Sequence, residues 1–292
     1  MMPFEFLNED DLLRDVSLID RASILQQLGS SDFDGCLKDF TGAPLDLAEQ
    51  LLPLARAFSM APVSGFSVGA IAVGASKRLY LGANLEFIGV PLSASLHAEQ
   101  SAVLNAWMHG EAALHHLVVS AAPCGHCRQF LWELPNADQL SIHFEGKRLD
   151  LSSLLPAAFG ESRRKGASLM DSPECALEPV GLIRNDLEAI AVGAAKASYT
   201  PYTAAPEGVA LQCINGTTFS GRTAESVAFN PTVSALVCAL NQRNFSSSRE
   251  DAISRCVHAK LVTSLSSQES FSKSLLSRMS HLSMETILME AL

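Results

Sequence analysis

A chain of 292 residues with 31 acidic against 21 basic side chains, a formal net charge of −10, is poorly suited to a polyanionic partner such as DNA or RNA. Its length fits two domains of ordinary size, and a hydrophobic share of 48% is ample for their cores. No apolar run reaches the length of a membrane span, and the acidic start Met1–Asp11 lacks a signal peptide's basic region. Seven cysteines without framework spacing point to reduced thiols, so a cytoplasmic address is expected.

In chain order, residues 1–45 read as an acidic helical lead-in ending at Thr41-Gly42-Ala43-Pro44. Asp46 is a fair N-cap for a helix with Leu47, Leu51, Leu54 and Phe58 on one face, and Pro53 is expected to kink it. Two strands follow, Val68–Val73 and Leu79–Leu81, joined through a turn at Gly74–Lys77. Just beyond, Asn84 and Glu86 are two apart in extended chain, so both point to one side, where an amide and a carboxylate can hold a sugar hydroxyl. His97 opens a run through Trp107 that is rich in helix formers. Leu117–Ser120 reads as a short buried strand, and Pro123 suits the first position of a second helix through Leu131. The charged stretch Glu161–Gly166 begins a linker expected to reach about residue 180. The expected domains are therefore 46–160 and 181–292, behind a lead-in of 1–45 and joined by a linker of 161–180.

The second domain reads as a copy of the first. Ser59-Met60-Ala61-Pro62-Val63-Ser64 lines up with Ser198-Tyr199-Thr200-Pro201-Tyr202-Thr203 at an offset of 139. Without a gap, the same offset carries Gly69 to Gly208, Tyr80 to Phe219, Gly82 to Gly221 and Glu86 to Glu225. Continued further, it places Leu236 at His97 and Cys238 at Glu99, and the second half contains no CxxC. The copy is therefore expected to be chemically silent, with Glu225 structural.

The chemistry sits in His97-Ala98-Glu99 and Pro123-Cys124-Gly125-His126-Cys127. One imidazole and two thiols give three protein ligands, and a tetrahedral ion then keeps a fourth position open, as in catalytic zinc sites. Cys124 and Cys127 lie one helical turn apart, and the positive end of a helix favours their thiolates. Glu99 stands where it can manage the protons of a metal-bound water. A CxxC alone also suits a redox pair, half of a structural zinc site or two buried thiols; a redox role has no use for His97 or Glu99. Arg128 can donate to the thiolates or sit solvated, and His126 would strain the turn to reach the same ion. His115-His116 face opposite sides of a strand and read as surface, while His109, His143, His258 and His281 have no partner spacing. Cys36, Cys175, Cys213, Cys238 and Cys256 read as fillers or surface thiols.

The stretches Asn84–Gly89, His97–Ala102 and Ala122–Phe130 resemble the cytidine deaminase family, more narrowly its two-domain homodimeric branch from bacteria and plants. The HxE and PCxxC pair is the known signature of the zinc deaminases, and the mechanism it implies is theirs, carried over to these residues by resemblance. The resemblance spans roughly residues 47–235. It implies an α/β, three-layer α-β-α fold that is duplicated, with a catalytic domain, a degenerate C-terminal repeat and a small helical N-terminal segment. It implies one Zn²⁺ per chain, held by His97, Cys124 and Cys127, and hydrolytic deamination of cytidine and 2′-deoxycytidine to uridine and 2′-deoxyuridine in pyrimidine salvage. Glu99 would pass a proton from water to N3 of the base and then to the departing amine.

The same resemblance assigns Asn84 and Glu86 to the ribose 3′-hydroxyl, Phe66 to the base, and the backbone at Ala98 and Ala122 to the base edges. Ala122 stands where related enzymes often carry Thr, and only its backbone is required. Phe159 resembles an aromatic over the pocket and Phe229 one that reaches the partner's site; both types suit a core equally. A nucleoside substrate, a homodimer, and neither nucleic acid nor membrane as partner complete the expectation. The rivals are a deaminase of another amino-pyrimidine or of polynucleotide cytosine, and a non-enzymatic zinc-stabilised interaction module.

Overall fold

The computed structural model describes residues 9–160 and 166–292, which fall into two compact units. The Glu161–Lys165 part of the expected linker lies outside the described residues. The first unit comprises the described chain to Glu86, then Ser95–Phe159 and Phe245–Ser247; the second comprises Phe87–Ala94, Gly160–Asn244 and Ser248–Leu292.

In the first unit, short helices α1 (Glu9–Leu12) and α2 (Leu18–Leu28) precede strand β1 (Cys36–Leu37), which the sequence pattern does not announce. Helices α3 (Pro44–Gln50) and α4 (Leu52–Ala57) replace the single kinked helix. Pro44 occupies the first turn of α3 after Ala43 as N-cap, so Asp46 lies inside that turn and is not the cap. Pro53 sits in the first turn of α4, where its missing N–H costs nothing, and the helix is broken at Leu51 instead of bent through it. Strands β2 (Gly69–Gly74) and β3 (Leu79–Ala83) form the expected hairpin, with Lys77 at φ 67° in its turn. Helix α5 (Ala98–Met108), strand β4 (Leu114–Val119) and helix α6 (Gly125–Leu131) carry the motifs; β5 (Ser141–Phe144), β6 (Lys147–Asp150) and α7 (Leu151–Leu154) close the unit.

The sheet order is β1-β3-β2-β4-β5-β6, with β4 and β5 parallel and the other pairs antiparallel. Register explains how helices cover both faces. Gly69 pairs with Ala83 and Ala70 with Gly82, so the two glycines face opposite ways. A Cβ on Gly69 would lie 2.5 Å from the Arg56 backbone nitrogen of α4; one on Gly82 would lie 2.3 Å from the Ala98 carbonyl oxygen at the start of α5. On the α4 side, Leu47, Leu51, Leu54 and Phe58 join Ile71, Val73, Leu79 and Leu81 in one core. On the other side, alanine and glycine let α5 approach the sheet at backbone distance.

That approach makes a stability prediction. Gly82→Ala forces the motif helix off the sheet and is expected to cost about 2–3 kcal/mol. Gly193 has open space around its missing Cβ, and Gly193→Ala is expected to be neutral or to gain up to ~1 kcal/mol. Thermal unfolding of the two variants beside the parent checks both signs.

The second unit repeats this plan. Its strands are β7 (Leu177–Pro179), β8 (Glu207–Cys213), β9 (Thr218–Arg222), β10 (Ile253–Leu261) and β11 (Glu285–Ala291), in the order β7-β11-β10-β8-β9. Its helices are α8 (Asp186–Lys196), α9 (Ala235–Asn244) and α10 (Glu269–Met279). β8 pairs antiparallel with β9 and β10, and β10 runs parallel to β11, the pattern of β2, β3, β4 and β5. Gly208 meets the Ala195 backbone of α8 as Gly69 meets Arg56, which preserves the offset of 139. Gly221, however, meets Ala235 and Ala239 where Gly82 meets Ala98 and Ala102, an offset of 137. The bridges agree, since Leu85 pairs with Leu96 and Ala224 with Val233. The loop entering α9 is thus two residues shorter, so the counterparts of His97 and Glu99 are Ser234 and Leu236. The expected Leu236 and Cys238 are corrected by that deletion. Neither Ser234 nor Leu236 offers the donor set or the carboxylate of the first unit, so the degenerate repeat stands.

Candidate active site

His97 is the N-cap of α5, in extended backbone at φ −85° and ψ 155°. Its own N–H donates to Gln100 Oε1 at 3.3 Å, which turns the first helical corner and leaves the imidazole outside it. Cys124 is likewise the N-cap of α6, and its sulfur accepts from the Cys127 N–H at 3.5 Å. The helix therefore starts at Gly125 and not at Pro123, because the capping sulfur, and not the imide, ends the preceding loop. Cys127 is buried on the first turn.

Two helix starts thus aim three donors at one point. Cys124 Sγ lies 3.4 Å and Cys127 Sγ 3.2 Å from His97 Nδ1, and the two sulfurs are 3.5 Å apart. Zinc bonds of ~2.3 Å to sulfur and ~2.0 Å to nitrogen in a tetrahedron imply edges of roughly 3.5–3.8 Å. The observed triangle matches within a few tenths of an ångström. A disulfide needs sulfurs ~2.05 Å apart, and both thiols are free. The donors fit one zinc ion, and among the described residues they are the one cluster that gathers three such ligands.

The electrostatics of the site follow from the same contacts. The thiol hydrogen bond from Cys127, aided by His97 and the helix N–H, pulls Cys124 down to about 3. Donating that bond, together with burial, drives Cys127 well above the ordinary thiol range. Cys124, and after it the carboxylates of Glu99 and Glu86, raise His97 against the opposing effect of burial. Glu99 lies two residues into this site and is only 5% exposed; burial raises its carboxyl. His126 stacks on the His97 ring at 5.1 Å and 22°, outside the donor set. Arg128 does not reach the thiolates: its guanidinium donates to the Pro123 carbonyl at 2.8 Å and the Leu154 carbonyl at 2.9 Å.

Asn84 and Glu86 do turn to one side, and both meet the loop between α4 and β2. Asn84 Oδ1 accepts from Ser59 Oγ at 2.6 Å and Val68 N at 2.8 Å, while its amide donates to the Phe66 carbonyl at 2.9 Å. Glu86 Oε2 accepts from the backbone N–H groups of Val63 and Ser64, both at 2.9 Å, and Ser64 Oγ donates to its other oxygen. Glu225 repeats this pattern with Tyr202 N, Thr203 N and Thr203 Oγ1, so the copy keeps the loop clamp without the metal ligands. Phe66 is 60% and Phe159 56% exposed, so neither is core; Phe229 is also exposed, at φ 63°. Ala98 is buried in the first turn of α5, and Ala122 is exposed between β4 and α6.

Sequence reasoning missed a polar clasp. The buried Gln129 side chain brackets the Phe159 backbone, accepting from its N–H at 3.0 Å and donating to its carbonyl at 3.1 Å. It missed the histidine pairs as well. His109 sits 2.7 Å from Asp34, the buried His258 3.0 Å from Glu207, and His143 3.4 Å from His116 with Glu49 on its other nitrogen. These partners are distant in sequence or come from neighbouring strands, where spacing carries no signal.

Two family models, each described as a cytidine and deoxycytidylate deaminase zinc-binding region, match residues 46–141 and 151–273. This chain belongs to the cytidine deaminase family. It is 41% identical over 260 residues to a cytidine deaminase from Actinobacillus succinogenes, covering 87% of this chain and 86% of the relative. A Serratia proteamaculans cytidine deaminase is 44% identical over 216 residues, 73% of each chain. A crystal structure of cytidine deaminase from Mycobacterium tuberculosis aligns at 30% identity and a TM-score of 0.37, over 40% of this chain and 97% of that one. The second family match runs over the copy that holds Ser234 and Leu236, so there it follows the fold and not the ligands.

Proposed function

We propose that the protein is a zinc-dependent hydrolytic deaminase of cytidine and 2′-deoxycytidine, releasing ammonia. The observation that carries this is the convergence of His97, Cys124 and Cys127 on one point beside a buried Glu99. His97, Cys124 and Cys127 would hold a zinc ion, which would supply Lewis acidity and acidify a water. Glu99 would take a proton from the attacking water. It would deliver that proton to N3 of the pyrimidine, which makes C4 electrophilic to the water oxygen. The hydroxyl then formed at C4 would give its remaining proton, through Glu99, to the exocyclic amine, which leaves as ammonia as the C4 carbonyl forms. One carboxylate serves both transfers because burial holds its pKa up, closer to the working range of a general acid and base.

Asn84 and Glu86 would hold the ribose 3′-hydroxyl while anchoring the loop that presents Phe66 to the base. Backbone at Ala98 and Ala122 would read the base edges, with Phe159 over the pocket. The exposed aromatic rings of Phe66 and Phe159 support a ligand-facing role, since neither is needed by the core. A homodimer, a cytoplasmic location and a place in pyrimidine salvage belong to the same reading. Seven free cysteines support a reducing compartment. The net charge of −10 favours a free nucleoside over a polynucleotide.

Ammonia release from cytidine, compared with a cytosine-bearing oligonucleotide, tests the proposal. Turnover of the nucleoside that stops on chelation is expected. Turnover of the oligonucleotide alone, or of neither, would remove it.

A further inference from the structure

Helix α6 carries a second function besides its two sulfurs. Gln129 is buried, and both ends of its amide are spent on one residue thirty positions later: Oε1 on the Phe159 N–H and Nε2 on the Phe159 carbonyl. The preceding residue, Arg128, holds the Leu154 carbonyl at the end of α7. Between Leu155 and Phe159 the chain forms no helix or strand, so no ladder fixes it. Gly160 then leaves the segment at φ +72°. Two consecutive side chains of the ligand-bearing helix therefore secure both ends of this segment.

The clasp fixes the backbone of Phe159 and leaves its ring outside the core. A loop aromatic held this way presents apolar surface without being ordered by burial. If free, the segment would lose conformational freedom each time a ligand settled against the ring, at the expense of affinity. The amide also cannot be released cheaply, because a buried donor and acceptor would both lose their partners.

We infer that Gln129 is a positioning residue for nucleoside binding, acting through Phe159. This rests on the deaminase reading, and the measurements separate the two. The variants are Gln129→Ala, Gln129→Glu, Phe159→Ala and the Gln129→Ala/Phe159→Ala pair, each checked for zinc content. Gln129→Glu keeps the acceptor for the Phe159 N–H and gives up the donor, and it serves if the alanine variant does not fold. Gln129→Ala should raise KM for cytidine roughly tenfold with kcat within about twofold, and Gln129→Glu should fall between it and the parent. On the Phe159→Ala background, Gln129→Ala should add no more than about twofold, because the two residues act as one unit. Hydrogen exchange at the Phe159 amide should accelerate in Gln129→Ala with no substrate present. Equal losses in kcat at unchanged KM, or a full effect of Gln129→Ala without the Phe159 ring, would overturn the inference alone. A parent enzyme that does not deaminate cytidine would overturn the deaminase reading, and the inference with it.

Discussion

Glu99→Gln is expected to keep its zinc and its fold while losing at least about 10³-fold in turnover. The side chain is uncharged and nearly isosteric, so α5 and the donors at its N-terminus stay in place. What disappears is the carboxylate two residues from His97, and with it both proton transfers of the reaction. Stability should move the other way. Burial raises the Glu99 carboxyl above its ordinary 4.5, so the folded state binds that proton more tightly than the unfolded chain. The resulting stabilisation is complete below the unfolded value and is lost as pH rises through the folded one. As the pH rises above 4.5 the parent therefore loses stability that the glutamine variant, which has no such proton to bind, keeps. The melting temperature of the parent should fall relative to that of the variant as the pH rises above 4.5, and at acid pH the pH-dependent difference should vanish. Thermal melts across pH, read beside initial rates on cytidine, check both halves. Near-normal turnover would remove Glu99 from the mechanism.

His97→Ala and Cys127→Ala are expected to abolish zinc retention through dialysis, and with it measurable turnover. Two remaining donors cannot close a three-ligand site, and loss of binding also removes the stability that a ligand of the folded state confers. Zinc uptake by the parent should be coupled to protons with a definite sign. Cys124, pulled down to about 3, is already a thiolate at neutral pH. Cys127, held well above the thiol range, still carries its proton and must surrender it to bind. His97, raised by Cys124, can surrender one too as the pH falls. Affinity should then drop by roughly tenfold per pH unit for each proton displaced. Calorimetry in buffers of different ionisation enthalpy counts those protons directly. Atomic absorption on the variants should find far less than one zinc per chain; retention of a full equivalent by His97→Ala would show that the donor set is another.

The donor set was legible in the sequence because local geometry dictates it. A residue at a helix start and a pair one turn apart have few ways to point, and the strand between them fixes how the helices meet. The duplicated plan was legible for a related reason: glycines 69, 82, 208 and 221 sit where a Cβ would strike helix backbone, so the fold leaves little choice of residue. What escaped were features set by tertiary contacts. A two-residue deletion in the loop before α9 leaves no mark in an ungapped comparison that ends at Glu225, and only the Ala224–Val233 bridge and the Gly221 contact reveal it. Asp46 has the composition of an N-cap, but Pro44 takes the first turn before it. The second role of Asn84 and Glu86 as clamps on the loop from Ser59 to Val68 depends on long-range backbone hydrogen bonds, as does the Gln129 clasp. Adjacency to Cys127 in sequence leaves Arg128 free either to donate to the thiolates or to sit solvated, and its reach instead carries the guanidinium to two carbonyls.

X-ray absorption at the zinc edge of the purified protein, in the absence of substrate, tests the central assignment most directly. Two sulfur donors at about 2.3 Å, one nitrogen at about 2.0 Å and one non-protein light atom are the predicted shell, lost together when either Cys124 or Cys127 is replaced. A shell of four protein side chains, or a purified protein that takes up no zinc, would contradict it.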